Sequence, residues 1–450
     1  MEPLVAFLSE KWKGVLILVG GCLVHLVLGS FYLWGNINVY VTSYYRLHSD
    51  RNLTITVSSA LFCLMLLGIS IGFFFTLPLA KKLGFRLAAM GEALLIAVCV
   101  FVSSYMDNFW LFVMFFGIFF GILNGLLYML PVYLACQYFP NSKGVISGII
   151  TGFFGLATIF SSLIAQHMIN PDNLQASIKD GSDKYFDAEV ADHLIKFIRY
   201  LALYYLILGL VGSSLFFDPP KENNIKTEAI DEEKIDRLNE SINSPLNGEE
   251  PISSKKALKS FKVYHIFLMN FFSSGLGLLV ASHFKDYGML KINDDQFLTM
   301  VGSIGAVCNG GGRMIWGVLY DKFSFKKAYF FLLVTQILFI ATYEAVSSYK
   351  ASFFIWTCVL FFCEGGHFAI FPPLCLTEFG TEIGSKIYPV VYFAFTCSNF
   401  LQFGIIYLWK SSIGFNNIFW IFLGLTGVSF ILAFLFKESE KVEKIEYKKK

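Results

Sequence analysis

Long apolar runs follow one another along the chain, parted by short polar breaks. A helix needs about 20 apolar residues to cross the roughly 30 Å hydrocarbon core of a bilayer. On that ruler twelve segments qualify: 14–42, 55–79, 86–104, 109–138, 143–169, 197–217, 260–284, 297–320, 326–347, 352–378, 385–409 and 416–436. The first run, from Gly14, is too long for a signal-peptide core and lacks a cleavage site, so it reads as the first membrane helix. The rhythm fails once, from Asp218 to Lys259. That stretch contains EAIDEEKIDRLNESINSPLNGEEP, charged, proline-broken and poor in aromatics, which predicts a flexible linker with one short surface helix. The expected fold class is an all-α polytopic membrane protein with twelve transmembrane helices in two six-helix pseudo-symmetric halves. The expected division is a first half at 1–217, a linker at 218–259, a second half at 260–436 and a tail at 437–450.

Landmarks recur between the halves at an offset of 241. Asn124-Gly125 meets Gly365-Gly366, Pro131 meets Pro372, Lys81 meets Lys322 and Arg86 meets Lys327. Two parallel repeats about an axis along the membrane normal is a transporter architecture. Pro131, Pro372 and Pro373 are expected to bend helices 4 and 10 at equivalent places. Gly29, Gly35, Gly121, Gly125, Gly148, Gly152 and Gly310–Gly312 are expected to let helices approach closely.

Composition agrees with a membrane protein. The chain is 56% hydrophobic and 15% charged, with a mean hydropathy of +0.61, against about half apolar and a quarter charged in soluble domains. A net charge of +2 points to no acidic polymer, so no nucleic acid is expected as partner. Nine cysteines all lie within apolar runs, which argues against a disulfide framework, and no metal-binding spacing is present. Lysines and arginines gather in the loops after helices 2 and 8, in the linker and in the tail. The positive-inside rule then places both termini in the cytoplasm. Asn52-Leu53-Thr54 would face outward as a glycan acceptor. The tail carries no retention address, which leaves the plasma membrane as the default, with an organellar membrane as the alternative.

With the halves aligned, GVLYDKFSFKK (Gly317 to Lys327) resembles the signature loop of the major facilitator superfamily: Gly, three residues, Asp, then basic residues. The resemblance implies a gate loop formed by Gly317, Asp321 and Lys322. The Asp can cap a helix N-terminus and pair with basic groups across the gate. The first-half copy, TLPLAKKLGFR, is degenerate. Within the superfamily the chain is similar to the oxalate/formate antiporter group and the monocarboxylate transporters. The matching stretches are GSFYLW, QYFPNSKGVISGI, NGGGR, GGHFAIFPP and SSKKALKSFKVYHIF.

Arg313 is the residue most in need of a reason. Eight residues before Asp321, at about 1.5 Å each, put it roughly 12 Å inside the membrane. An arginine there costs at least about 2.5–3.5 kcal/mol on insertion scales. Its planar fork suits a carboxylate, and the resemblance implies that it binds the substrate anion. The competing reading is a salt bridge to Glu92, Glu344 or Glu364. Asn309 lies one turn away on the same face. Proton-coupled monocarboxylate transporters typically have Asp at this place, and Asn does not titrate. Tyr32 and Tyr128 match aromatic positions that line the anion site in the oxalate group. Glu364 and His367 lie three apart in helix 10 and are candidates for proton coupling. The stretch IYPVVYFAFTCSNFLQFGIIY of helix 11 holds no lysine, where members that take a dicarboxylate have a second cation.

The expected function is therefore a secondary active transporter that moves a small organic anion, a monocarboxylate above others, by alternating access. A coupled proton or counter-anion, the lipid bilayer and a monomeric state complete the expected partners; no cofactor is implied. Rival readings are a drug, nucleoside or amino-acid carrier on the same fold, and a non-transporting receptor. No HExxH, nucleophile elbow or phosphate loop suggests an enzyme, so no catalytic residue is assigned.

Overall fold

The computed structural model describes residues 2–139, 142–172, 174, 176–180, 183–219, 257–292 and 294–438. The expected linker, the tail, and Pro140 and Asn141 of the stretch after helix 4 lie largely or wholly outside the described residues.

Helix α1 runs over Glu2–Leu28, tightens into a 3-10 turn at Gly29–Leu33 and resumes at Trp34–His48. There follow α2 (Ile55–Leu83), α3 (Phe85–Ser103), α4 (Phe109–Tyr138), α5 (Lys143–Ile169) and α6 (Ala188–Ser214). The second half holds α7 (Phe261–Lys291), α8 (Asp295–Phe323), α9 (Phe325–Val346) and α10 (Lys350–Glu378). The last helical stretch, Thr381–Leu435, changes direction at Gly414 (φ 72°), which divides it into α11 (381–413) and α12 (415–435).

Ten helical stretches are long and apolar enough to cross a membrane. The tenth contains both α11 and α12. The remaining helix, α8, has the length but is diluted by Asn309, three glycines and Arg313. Adding α8 and dividing the tenth stretch gives twelve spans among the described residues. Exposed apolar side chains such as Phe75, Leu87, Leu95, Ile207, Phe331 and Leu338 form the lipid-facing belt.

One addition was not announced by the pattern. Between α5 and α6 a hairpin forms from β1 (Ile178–Asp180) and β2 (Asp183–Tyr185). It docks on the end of α1. Arg46 pairs with Asp180 at 2.7 Å and lies 4.2 Å from the centre of the Tyr185 ring.

The internal repeat is real, but its register is 240 rather than 241. Helix contacts establish this. A Cβ on Gly125 would sit 2.0 Å from the Ile69 carbonyl oxygen, and one on Gly365 2.2 Å from that of Asn309. Gly72 approaches the Ile122 carbonyl as Gly312 approaches that of Phe362. The turns after α2 and α8 agree, with positive φ at Gly84 (87°) and Ser324 (97°). Each pair is 240 positions apart. Prolines and loop lysines tolerate a shift of one residue, whereas a carbonyl 2 Å from a would-be Cβ does not. Phe73 therefore matches Arg313, Ile69 matches Asn309, and Asn124 matches Glu364.

The halves meet along two seams. On α5 and α8, a Cβ on Gly310 would lie 2.6 Å from the Gly152 carbonyl oxygen, so the backbones touch there. On α2 and α11, Ser70 and Thr396 share a 2.6 Å hydrogen bond. At the end of the bundle where α1 begins and α12 finishes, Asp321 Oδ2 accepts from the backbone N–H of Val145, 3.1 Å away, at the start of α5. This contact ties the second half to the first and closes that end.

Candidate functional site

Glycine contacts set the walls of the site. A Cβ on Gly29 would lie 1.9 Å from the Phe154 carbonyl oxygen, so α1 and α5 touch where α1 tightens into its 3-10 turn. That turn carries Tyr32 towards the second half. Gly365, pressed on Asn309, holds Glu364 beside α8.

Arg313 is fully buried where the two halves meet. Its Nε donates to Asn309 Oδ1 at 3.1 Å and its Nη1 to Tyr128 Oη at 3.4 Å. Two rings flank the guanidinium. The Phe368 centroid lies 4.5 Å and the Phe154 centroid 5.1 Å from Cζ. Such sandwiching stabilises a desolvated cation by about 2 kcal/mol. It leaves Nη2 with no hydrogen-bond partner.

Arg313 makes no ion pair among the described residues. Glu92 is buried with both oxygens unpartnered. Glu344 accepts from Asn416. Glu364 reaches the arginine only through Asn309, whose Nδ2 donates to Glu364 Oε2 at 3.1 Å. Tyr32 donates to the other oxygen at 3.2 Å. The result is a relay from Tyr32 through Glu364 and Asn309 to Arg313 and Tyr128, crossing between the halves twice. All four substrate-binding candidates from the sequence therefore meet in one place.

A small cavity of about 40 Å³, partly open to its surroundings, reaches this relay from the end of the bundle opposite the Asp321 contact. Asn36, Gly155, Phe284, Gly302 and Phe361 line its wall, and Tyr32 and Asn309 belong to its floor. Arg313 lies one helical turn beneath. The molecule is thus closed on one side and partly open on the other.

The proton-coupling candidates part company. Glu364 joins the relay. His367 is buried on a neighbouring face, with Nδ1 3.0 Å from the Cys363 carbonyl and Nε2 2.9 Å from Ser273 Oγ. Both its nitrogens are engaged within the second half, and it does not touch Glu364. Of the gate loop, Asp321 binds α5 as described, and Gly317 lies against the Gly144 carbonyl. Lys322 Nζ lies 5.2 Å from the centre of the Phe323 ring.

Several site residues carried no sequence signal. Phe154 and Phe368 are two among fifty phenylalanines. Tyr388 and Tyr392 stand on α11, in the stretch 387–407 that holds no lysine. Phe73 packs on Tyr392 at 4.5 Å, on Tyr128 at 5.3 Å and on Tyr388 at 5.9 Å between ring centres. His25 on α1 is fully buried, its ring 4.9 Å from that of Tyr128. Its charge chemistry inside a membrane helix was the one cue available.

A fold of this kind, with a buried polar site between two six-helix halves, defines a membrane transporter. A sequence model of the Major Facilitator Superfamily matches residues 24–400, and the chain belongs to that family. It is 26% identical over 450 aligned positions to apicoplast pyruvate carrier 1 of Toxoplasma gondii, covering 85% of this chain and 81% of the carrier. The uncharacterized MFS-type transporter YhjX of Escherichia coli (strain K12) is 23% identical, covering 84% of each. The oxalate:formate antiporter of Oxalobacter formigenes is 26% identical over a shorter stretch, 36% of this chain and 40% of the antiporter. Among solved structures, the proton:xylose symporter XylE bound to 6-bromo-6-deoxy-D-glucose superposes with a TM-score of 0.66 at 14% identity, covering 95% of this chain and 96% of that one. That likeness concerns the fold alone.

Proposed function

We propose that this transporter moves a small monocarboxylate by alternating access, with Arg313 binding the carboxylate. The observation that carries the reading is the buried guanidinium, held by Asn309 and two rings, with Nη2 unpartnered and no ion pair. A carboxylate supplies the missing acceptor and the missing charge. Tyr128 stands beside it, and Tyr32 and Asn309 form the threshold above. The stretch 387–407 of α11 holds Tyr388 and Tyr392 and no lysine, which favours one carboxylate over two. The pyruvate carrier and the oxalate:formate antiporter among the relatives support an organic acid as cargo.

Glu364 is the better placed of the two proton candidates. It bounds the route from the cavity to Arg313, where its ionised form repels an entering anion. Protonation removes that repulsion, so an anion and a proton would enter together. The lysine and arginine bias of the loops supports cytoplasmic termini.

Uptake of radiolabelled monocarboxylates into proteoliposomes tests the reading. Arg313→Gln is expected to abolish uptake while leaving expression and detergent stability intact; undiminished uptake would sink the assignment. An outside-acid gradient is expected to stimulate uptake in the native protein and to lose its effect in Glu364→Gln. Including nucleosides, amino acids and cationic drugs in the panel tests the rival cargoes.

A further inference from the structure

We infer that His25 is a second recognition group in this site, one that reads the atom bonded to the carbon next to the carboxylate. The inference rests on the carboxylate reading above and adds a rank order of substrates to it.

The argument starts from three buried polar atoms without partners. Arg313 Nη2, His25 Nε2 and Tyr388 Oη are each buried and each unpaired. They belong to one aromatic cluster. His25 lies 4.9 Å from the Tyr128 ring and 6.2 Å from the Phe154 ring. Arg313 hydrogen-bonds the first of those side chains and lies against the second. Phe73 joins Tyr388 to Tyr128. Unpaired buried polar atoms also occur elsewhere among the described residues, and it is the gathering of three around one set of rings beside the guanidinium that points to a ligand there.

Their chemistry differs. Arg313 only donates, and a tyrosine hydroxyl both donates and accepts. His25 Nδ1 lies 2.9 Å from the Gly21 carbonyl oxygen. A carbonyl only accepts, so Nδ1 carries the proton and the neutral ring presents Nε2 as a bare acceptor. A ligand satisfies all three atoms when it offers an acceptor to Arg313 and Tyr388 and a donor to His25. A carboxylate with a hydroxyl on the adjacent carbon does this. A 2-oxo acid offers acceptors alone and leaves Nε2 unpaired, as does an acid without oxygen at that carbon. A site with a buried acceptor discriminates strongly against ligands that cannot donate to it. The site therefore ranks 2-hydroxy acids above 2-oxo acids and unsubstituted acids.

Lactate, pyruvate and propionate differ only at that carbon and serve as probes. Uptake of each by the full chain in proteoliposomes is expected to show lactate half-saturating at a concentration about tenfold or more below the other two. His25→Phe is expected to bring the three within about threefold of one another. His25→Gln, which restores an acceptor, is expected to recover part of the difference. Equal half-saturation by the three acids in the native protein would overturn the role of His25 and leave the carboxylate reading standing. A common shift of all three in His25→Phe would overturn it too, since that marks a structural role. Uptake of none by the native protein would overturn the carboxylate reading and this inference together. Should His25→Phe fail to fold, the native ranking and the Gln variant decide the matter.

Discussion

Phe73 on α2 and Arg313 on α8 occupy matching places in the two halves, and both lie against Tyr128, one by its ring and one by its guanidinium. The frame around them is shared. Gly125 meets the Ile69 carbonyl as Gly365 meets that of Asn309, and a positive-φ turn follows each helix. The chemistry is not shared. Where the second half has Asn309, Arg313 and Glu364, the first has Ile69, Phe73 and Asn124. The first half supplies walls and Tyr32, Tyr128 and Phe154; the second supplies the charge. Duplication sets where a residue stands, and substitution at those places makes the site asymmetric, with its charge supplied by the second half.

The comparison can be broken most severely by moving the charge. The double variant Phe73→Arg with Arg313→Phe places a cation in the same layer but beside Ile69 and Asn124. Carboxylate uptake is expected to fall by at least about 100-fold, because an unsupported buried charge costs roughly 2–5 kcal/mol. Uptake near the native level would mean that charge alone, without the relay, suffices. Next comes the seam between the halves. Gly310→Leu forces α8 away from α5 at the Gly152 carbonyl, and uptake is expected to slow about tenfold through loss of the closed state while the protein stays folded. Gly312, whose contact lies inside the second half against Phe362, is expected to lose thermal stability instead.

A smaller effect is expected from Asn309→Asp. It sets a carboxylate 3.1 Å from Arg313 Nε and gives the arginine an internal partner. The half-saturating concentration should rise about tenfold, equivalent to roughly 1.4 kcal/mol; an unchanged value would show that Nη2 alone governs affinity. The smallest effect concerns the matching turns. Ser324 holds a backbone conformation (φ 97°, ψ 161°) that costs a side-chain-bearing residue about 1–3 kcal/mol and costs glycine little. Ser324→Gly is expected to raise the unfolding midpoint in detergent, and Gly84→Ser to lower it by a similar amount.

Much of this fold was legible because the bilayer permits few solutions. Backbone groups in hydrocarbon must bond within helices, so apolar length alone marked the spans. Even α8, the least apolar, was legible from its flanks. Arg313 was legible for the same reason, since a charge in such a place needs a purpose. The repeat was visible but misaligned by one residue. Its landmarks were prolines and loop lysines, which sit at bends and ends where one residue of slack is tolerated. Glu364 and His367 looked like a pair from their spacing. Their spacing put them near one another on α10 without deciding which neighbours each would meet. Phe154, Phe368 and Tyr388 gave no usable pattern, because in a chain with this many aromatics the lining of a site and the filling of a bundle look alike.

The sequence by itself determined the spans, the two-fold repetition and the buried cation at Arg313, since each follows from the cost of exposing polar groups to lipid. Only the tertiary structure decided that the cation would stay free of an acid. Asn309 stands between Arg313 and Glu364, and contacts between the halves, across 185 and 159 positions of sequence, bring Tyr128 and Phe154 to the sides of Arg313. Such proximity depends on how helices pack, and no local pattern along the chain encodes it.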